Sequence, residues 1–339
     1  MYLVYGVCLL DNKLRKFMSE ALFEKYPELF HYTTAVGLEG ILSTKTLWAT
    51  HYEYVNDSDE FKSFFKTRLP EVLGEVIPSA LAEKYRDSPE FKSEVDGFPK
   101  GLEAFTQAFI GDALKATSEA IWGSYAPYLT SFCGATTPEI TQDGLLSQWR
   151  GYGQDGGYAI VFNTQALEAL FWLEHSKYLL KFQTICEIAY NQQSIERSDI
   201  KKLEDEVKTS FRNYIKTLEP TDIWASMVPN IRMALMHKHG GFSEEAEVRI
   251  AIIPSTPTEF EEAALSSSPS TKKLLPTTFS IKDGLLVPRL TLFNGLPIKR
   301  IIVGPHPDSV RRKKSVEMLL AKYKVKAEVT CSKIPYVGR

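Results

Sequence analysis

Residues 247–253, EVRIAII, read as the clearest strand of the C-terminal half, and they follow directly on the acidic run Ser243-Glu244-Glu245-Ala246. Residues 128–133 (YLTSFC) and 158–162 (YAIVF) have the same strand character. Near the start, Phe30-His31-Tyr32 reads as a strand end and Thr46 to Thr50 as extended, while Met1 to Leu10 reads as a first strand. Leu285 to Phe293, Arg300 to Val303 and Ala327 to Cys331 supply the last extended segments. Strands therefore come early, in the middle and late. That favours an α+β fold, a mixed sheet assembled from distant parts of the chain with helices inserted, over an alternating βαβ layout.

Between the strands the periods change. Thr33 or Thr34 can cap a helix whose Leu38, Ile41 and Leu42 share one face. Asp57 and Glu60 have capping-box spacing, with Phe61, Phe64, Phe65 and Arg68 following at helical intervals. Residues 70–125 read as a helical insertion broken by Pro70, Pro78, Pro89 and Pro99. Residues 192–240 form a second insertion: a charged helix from Gln192 to Leu218 with Leu203, Val207, Phe211 and Ile215 on one stripe, then a helix from Asp222 to His239. Leu146 to Gly153 reads as a polar, Gly-rich loop, and Ser255 to Thr278 as a long surface loop. A helix is expected near Asp308 to Lys324. The whole, residues 1–339, reads as a single elaborated domain.

Composition excludes the unusual classes. The 339 residues are 44% hydrophobic and 24% charged, and 40 Lys+Arg against 42 Asp+Glu leave a net charge of −2. No chain-wide basic field announces nucleic acid, although Arg311-Arg312-Lys313-Lys314 could supply local phosphate contacts. The four cysteines are too scattered for a metal knuckle or a disulfide framework, so free thiols and a cytoplasmic setting are expected. No stretch approaches the ~20 apolar residues that cross a bilayer, and no membrane partner is expected.

Three polar clusters lie beside predicted strands: His31-Tyr32; Gln148-Trp149-Arg150 with Tyr152 and Tyr158; and Glu244 to Arg249. Each alone is ordinary. Together they match the needs of cleaving a ribose from a cationic nicotinamide: a flat aromatic surface, a group for the ribose hydroxyls and a carboxylate near the developing oxocarbenium. No metal is required. Glu245 and Glu247, two apart, would project to one side of a strand, one holding the ribose and the other orienting an acceptor. Trp48 and Trp149 read as pocket walls or core, with stacking on a ligand as the alternative. Asn56 and Glu60 read first as parts of a helix start, or else as facing the same cleft as His31.

The run FHYTTAVGLEGILSTKTLWATHYEYVNDSDEF, followed in order by LTSFC, LLSQWRGYG, GFSEEAEVRIAI, KRIIVGP and SKIPY, resembles the bacterial domain-of-unknown-function family numbered two-nine-seven-one, some members of which sit in phage-defence loci. Phe30 to Thr33 followed by Leu38 to Leu42 is also similar to the opening motif of ADP-ribosyltransferases of the His-Tyr-Glu type. That second resemblance implies a mostly antiparallel, split sheet of the ADP-ribosyltransferase type and NAD as the substrate. It implies that His31, with Tyr32 beside it, binds ribose and that Tyr152 or Tyr158 stacks on nicotinamide, near Trp149. Arg150 would meet the pyrophosphate, and Glu247, with Glu245, Gln148 and Arg249 close by, would be catalytic. The acceptor would be a protein or nucleic acid, and a toxin-like or defence effector of this kind would need a neutralising or regulatory partner.

Two other functions compete. A non-catalytic interaction or regulatory module would use the helical insertions for docking. A metal-dependent nuclease could draw on His31, His51, Asp57, Glu60 and Glu247, without any secure ligand spacing among them.

Overall fold

The β-branched and aromatic runs do become strands of one large sheet. The computed structural model describes residues 22–55, 58–152, 156–190, 197–265 and 270–335, with residues 58–60 described in backbone only. The strand expected at Met1 to Leu10 lies outside the described residues. In chain order the strands are β1 (Glu28–Thr33), β2 (Leu47–His51), β3 (Tyr128–Gly134), β4 (Tyr158–Asn163), β5 (Leu180–Glu187) and β6 (Ala189–Tyr190). Then come β7 (His237–Lys238), β8 (Glu247–Pro254), β9 (Thr277–Lys282), β10 (Leu285–Leu292), β11 (Ile298–Val303) and β12 (Glu328–Cys331). Contacts divide the chain into two units. One takes residues up to His51, Pro127–Glu187 and Gly241 onward; the other takes Tyr52–Ala126 and Ile188–Gly240.

The first unit is built on a ten-stranded sheet of order β12-β11-β4-β1-β3-β2-β10-β9, with β8 paired to β3 and β5 to β8. It is mostly antiparallel; the parallel pair is β11 with β12. β3 is the branch point. Along one edge it pairs with β8 from Tyr128 to Cys133. Along the other, β1 pairs only at Cys133 and Gly134 and β2 only at Tyr128 and Leu129, so the two strands part over the middle of β3.

Directly paired residues share a face of a sheet. One face carries Leu29, Phe132, Ile160, Phe162, Val248 and Ile250, all buried in the main core. Leu167 and Phe171 of the Thr164–Lys177 helix belong to the same cluster. The other face carries Phe30, Tyr32, Cys133, Ala159, Val161 and Ile302, a smaller cluster completed by Leu145 and Trp149. Gly304 explains how closely that second layer is drawn in. A Cβ there would lie 2.0 Å from the Gly156 carbonyl oxygen and 2.9 Å from the Trp149 ring.

The second unit is helical, with one small parallel pair, β6 with β7. Its Ser198–Thr217 helix buries the expected stripe of Leu203, Val207, Phe211 and Ile215. Its Arg68–Asp87 helix continues through Pro78. The break expected there does not occur: the buried stripe Val72, Leu73, Val76, Ile77, Ala80 and Leu81 packs on both sides of Pro78 and holds the helix together despite the lost hydrogen bond.

Three further expectations are corrected. Leu146–Tyr152 is a helix and not a loop, because Gln148 and Trp149 turn inward from it. The helix expected to reach His239 stops at Met236, where His237-Lys238 is drawn into pairing with β6. The loop expected from Ser255 to Thr278 contains a helix, Pro257–Ala264, started by a capping box between Thr256 and Glu259, and its end is already β9.

Candidate functional site

The parting of β1 and β2 leaves the centre of β3 with an open edge, and Ser131 is exposed there although every other residue of β3 is buried. His31 of β1 bridges the opening: its Nδ1 lies 3.0 Å from the Ser131 carbonyl oxygen. A carbonyl only accepts, so Nδ1 carries the proton and Nε2 is left as an acceptor. Burial pushes the imidazole below its ordinary pKa by more than the Ser131 carbonyl restores, which keeps the ring neutral at pH 7.

On the opposite edge of β3, Cys133 pairs with Glu247 and Ser131 with Arg249. The two β8 side chains form a buried ion pair, with Arg249 Nε and Nη2 both 2.9 Å from Glu247 Oε1. Beside them, Gln148 Nε2 donates to Glu245 Oε1 at 3.0 Å. The Leu146–Tyr152 helix that delivers Gln148 is locked in place by Trp149, whose Nε1 donates to the Asp143 carbonyl at 2.9 Å. The Trp149 ring stands edge-on to Tyr32, 4.9 Å between centroids. The Tyr32 hydroxyl accepts the Leu145 N–H at 2.7 Å, and burial pushes its pKa upward.

Tyr32, Gln148, Trp149, Glu245, Glu247 and Arg249 are thus gathered on or beside one face of the sheet. His31 is not. Its register partner on β4 is Ile160 and its ring meets Phe132 at 5.8 Å, so it belongs to the main-core face. His31 and Glu247 lie on successive neighbours of β3, roughly 10 Å apart across it by strand spacing. The common crevice expected for them is therefore replaced by an opening that each approaches from its own edge and side.

The remaining candidates are scattered. Tyr158 pairs with Thr33 and sits in the main core. Trp149 is core, too enclosed to stack on a ligand. Arg150 and Tyr152 are exposed at the end of their helix. Trp48 is 49% exposed, with the Arg289 guanidinium 4.8 Å from its ring centre. Asn56, Asp57 and the Glu60 side chain fall outside the described residues. Among the described residues, no group of three or more His, Cys, Asp or Glu is placed to hold a metal ion, and no helix is long and apolar enough to cross a membrane.

Sequence reasoning missed Ser131 and Arg289. Each had a signal: a polar side chain in a mostly apolar strand, Ser131 in LTSFC and Arg289 in LLVPRLTL. No curated protein and no solved structure matches this chain. Residues 148–250 do match the model of the family described as a protein of unknown function (DUF2971), a stretch that begins at Gln148 and contains Trp149, Arg150, Glu245, Glu247 and Arg249.

Proposed function

We propose that the chain cleaves the nicotinamide–ribose bond of NAD at the opening of the sheet and passes the ADP-ribosyl group to a protein or nucleic-acid acceptor, or to water. The observation that carries this is the opening itself: an exposed Ser131 in the middle of a ten-stranded sheet, with His31 on one edge and the Glu247–Arg249 pair on the other. Such cleavage needs a carboxylate that stabilises the oxocarbenium as nicotinamide departs with the bonding electron pair. In this reading Glu247 supplies it. Arg249 compensates the cost of keeping a carboxylate out of water. The Ser131 hydroxyl, on the face of Glu247, offers a hydrogen bond to a ribose hydroxyl, and Gln148 with Glu245 orients the acceptor. A role in defence or as a toxin, a cytoplasmic setting and a neutralising partner belong to the same proposal, because uncontrolled NAD loss would harm the producing cell.

The test is release of nicotinamide from NAD, followed chromatographically. The wild type should turn NAD over, and Glu247→Gln should lose at least about a hundredfold in rate while keeping the wild-type circular dichroism spectrum. No turnover, together with no NAD-dependent shift in melting temperature, would remove the proposal.

A second reading has an observation of its own. Glu247 and Arg249 are mutually satisfied and only 4% and 6% exposed at their side chains, as a purely structural pair would be. The chain would then be a non-catalytic interaction module, and NAD would be neither bound nor consumed.

A further inference from the structure

A different cluster occupies the β2–β10–β9 end of the sheet. The register sets Arg289 opposite Thr50 and Thr291 opposite Trp48. On its other side Arg289 pairs with Thr278. The guanidinium is firmly held: Nη1 donates to Thr50 Oγ1 at 2.6 Å, Nε donates to Ser280 Oγ at 2.5 Å, and its carbon lies 4.8 Å from the Trp48 ring centre. Both acceptors are neutral hydroxyls. Among the described residues no carboxylate pairs with Arg289, and the groups that fix its direction there are neutral.

The surroundings have one character. Thr278, Ser280 and Lys282 alternate along the same face of β9, and the residues opposite them on β10 are Arg289, Val287 and Leu285. None of these is acidic. A guanidinium preorganised by neutral acceptors suits a phosphate, whose oxygens accept from its remaining N–H groups. A half-exposed indole beside it suits the flat face of a base.

We propose that Trp48 and Arg289 form a nucleotide-binding site, with a phosphate on Arg289 and a base against Trp48. The ligand is a phosphorylated base, supplied either by a free nucleotide or by a single-stranded nucleic acid. The site does not depend on Glu247 or on NAD cleavage.

The experiment titrates the full chain with ADP and with a fluorescein-labelled deoxythymidine strand of about 12 nucleotides, at low salt, reading fluorescence and anisotropy. At least one probe should bind. Trp48→Ala should weaken that binding about tenfold or more without changing the melting temperature, because the ring is half-exposed. Arg289→Gln should do the same and Arg289→Lys should recover part of the loss. Tighter binding of ADP identifies a free nucleotide, and tighter binding of the strand with a steep salt dependence identifies nucleic acid. ADP and the strand carry no nicotinamide–ribose bond, so both should be bound or refused alike whether or not the chain cleaves NAD. Binding of neither probe, or binding unchanged in Trp48→Ala, overturns the proposal.

Discussion

The two faces of the ten-stranded sheet are made by the same strands and are stabilised in different ways. One is a continuous apolar layer in which Leu29, Phe132, Phe162 and Ile250 pack under the Thr164–Lys177 helix. The other mixes a small apolar cluster around Trp149 with the buried Glu247–Arg249 pair. On the first face each side chain contributes by its own area. On the second, the stability of one residue depends on its partner, and this is the face on which chemistry can be placed.

Mutations separate the two. Phe162→Ala on the apolar face should cost about 3–5 kcal/mol of unfolding free energy through a cavity. Arg249→Met should cost a similar amount, about 3–5 kcal/mol, by removing the cation that faces the buried Glu247 carboxylate. The faces then diverge: adding Glu247→Leu to Arg249→Met should recover most of that loss, whereas no polar partner change rescues Phe162→Ala. Urea denaturation of the single and double variants reads this directly. A double variant no more stable than Arg249→Met would make the ionic face as locally packed as the apolar one.

A smaller effect tests the apolar layer where it is imperfect. Glu168, between Leu167 and Phe171, is buried with its Oε1 unpartnered, and burial pushes its pKa to about 7. Below the usual carboxylate value of 4.5 it is protonated both folded and unfolded, at no cost. As pH rises from there to about 7, the unfolded chain releases a proton that the folded chain keeps, so stability falls and then levels off. Glu168→Gln should therefore match the wild type at pH 4 and exceed it by about 2–3 kcal/mol at pH 8. Equal stabilities at pH 8 would mean that Glu168 has a partner in solution.

How much of this was legible in the sequence follows from the range of the forces involved. β3, β4 and β8 were readable because β-branched and aromatic runs report local backbone preference. The Thr34 cap of the Ala35–Thr44 helix was readable for the same reason: its hydroxyl accepts the Gly37 N–H three residues on. β9 was not, because every residue of TTFSIK is exposed or half-exposed and it sits in a run rich in Ser, Thr and Pro. The Leu146–Tyr152 helix was hidden by Gly151 and by Gly153 just beyond it in the sequence, while what forms it, Trp149 against Tyr32, joins residues more than a hundred positions apart.

The candidate site shows the limit most clearly. The six residues on or beside the ionic face were all picked from the sequence. Which face His31 takes depends on the pairing of β1 with β3 and of β3 with β8, and a slip of one residue would have turned it over. No local pattern carries that information.

The most direct test of the site is a crystal structure of the chain with a non-hydrolysable NAD analogue. The nicotinamide ribose should lie in the opening over Ser131, within hydrogen-bonding reach of the Ser131 hydroxyl, with the Glu247 carboxylate beside the anomeric carbon. An analogue bound elsewhere on the chain, with Ser131 and Glu247 untouched, would contradict it.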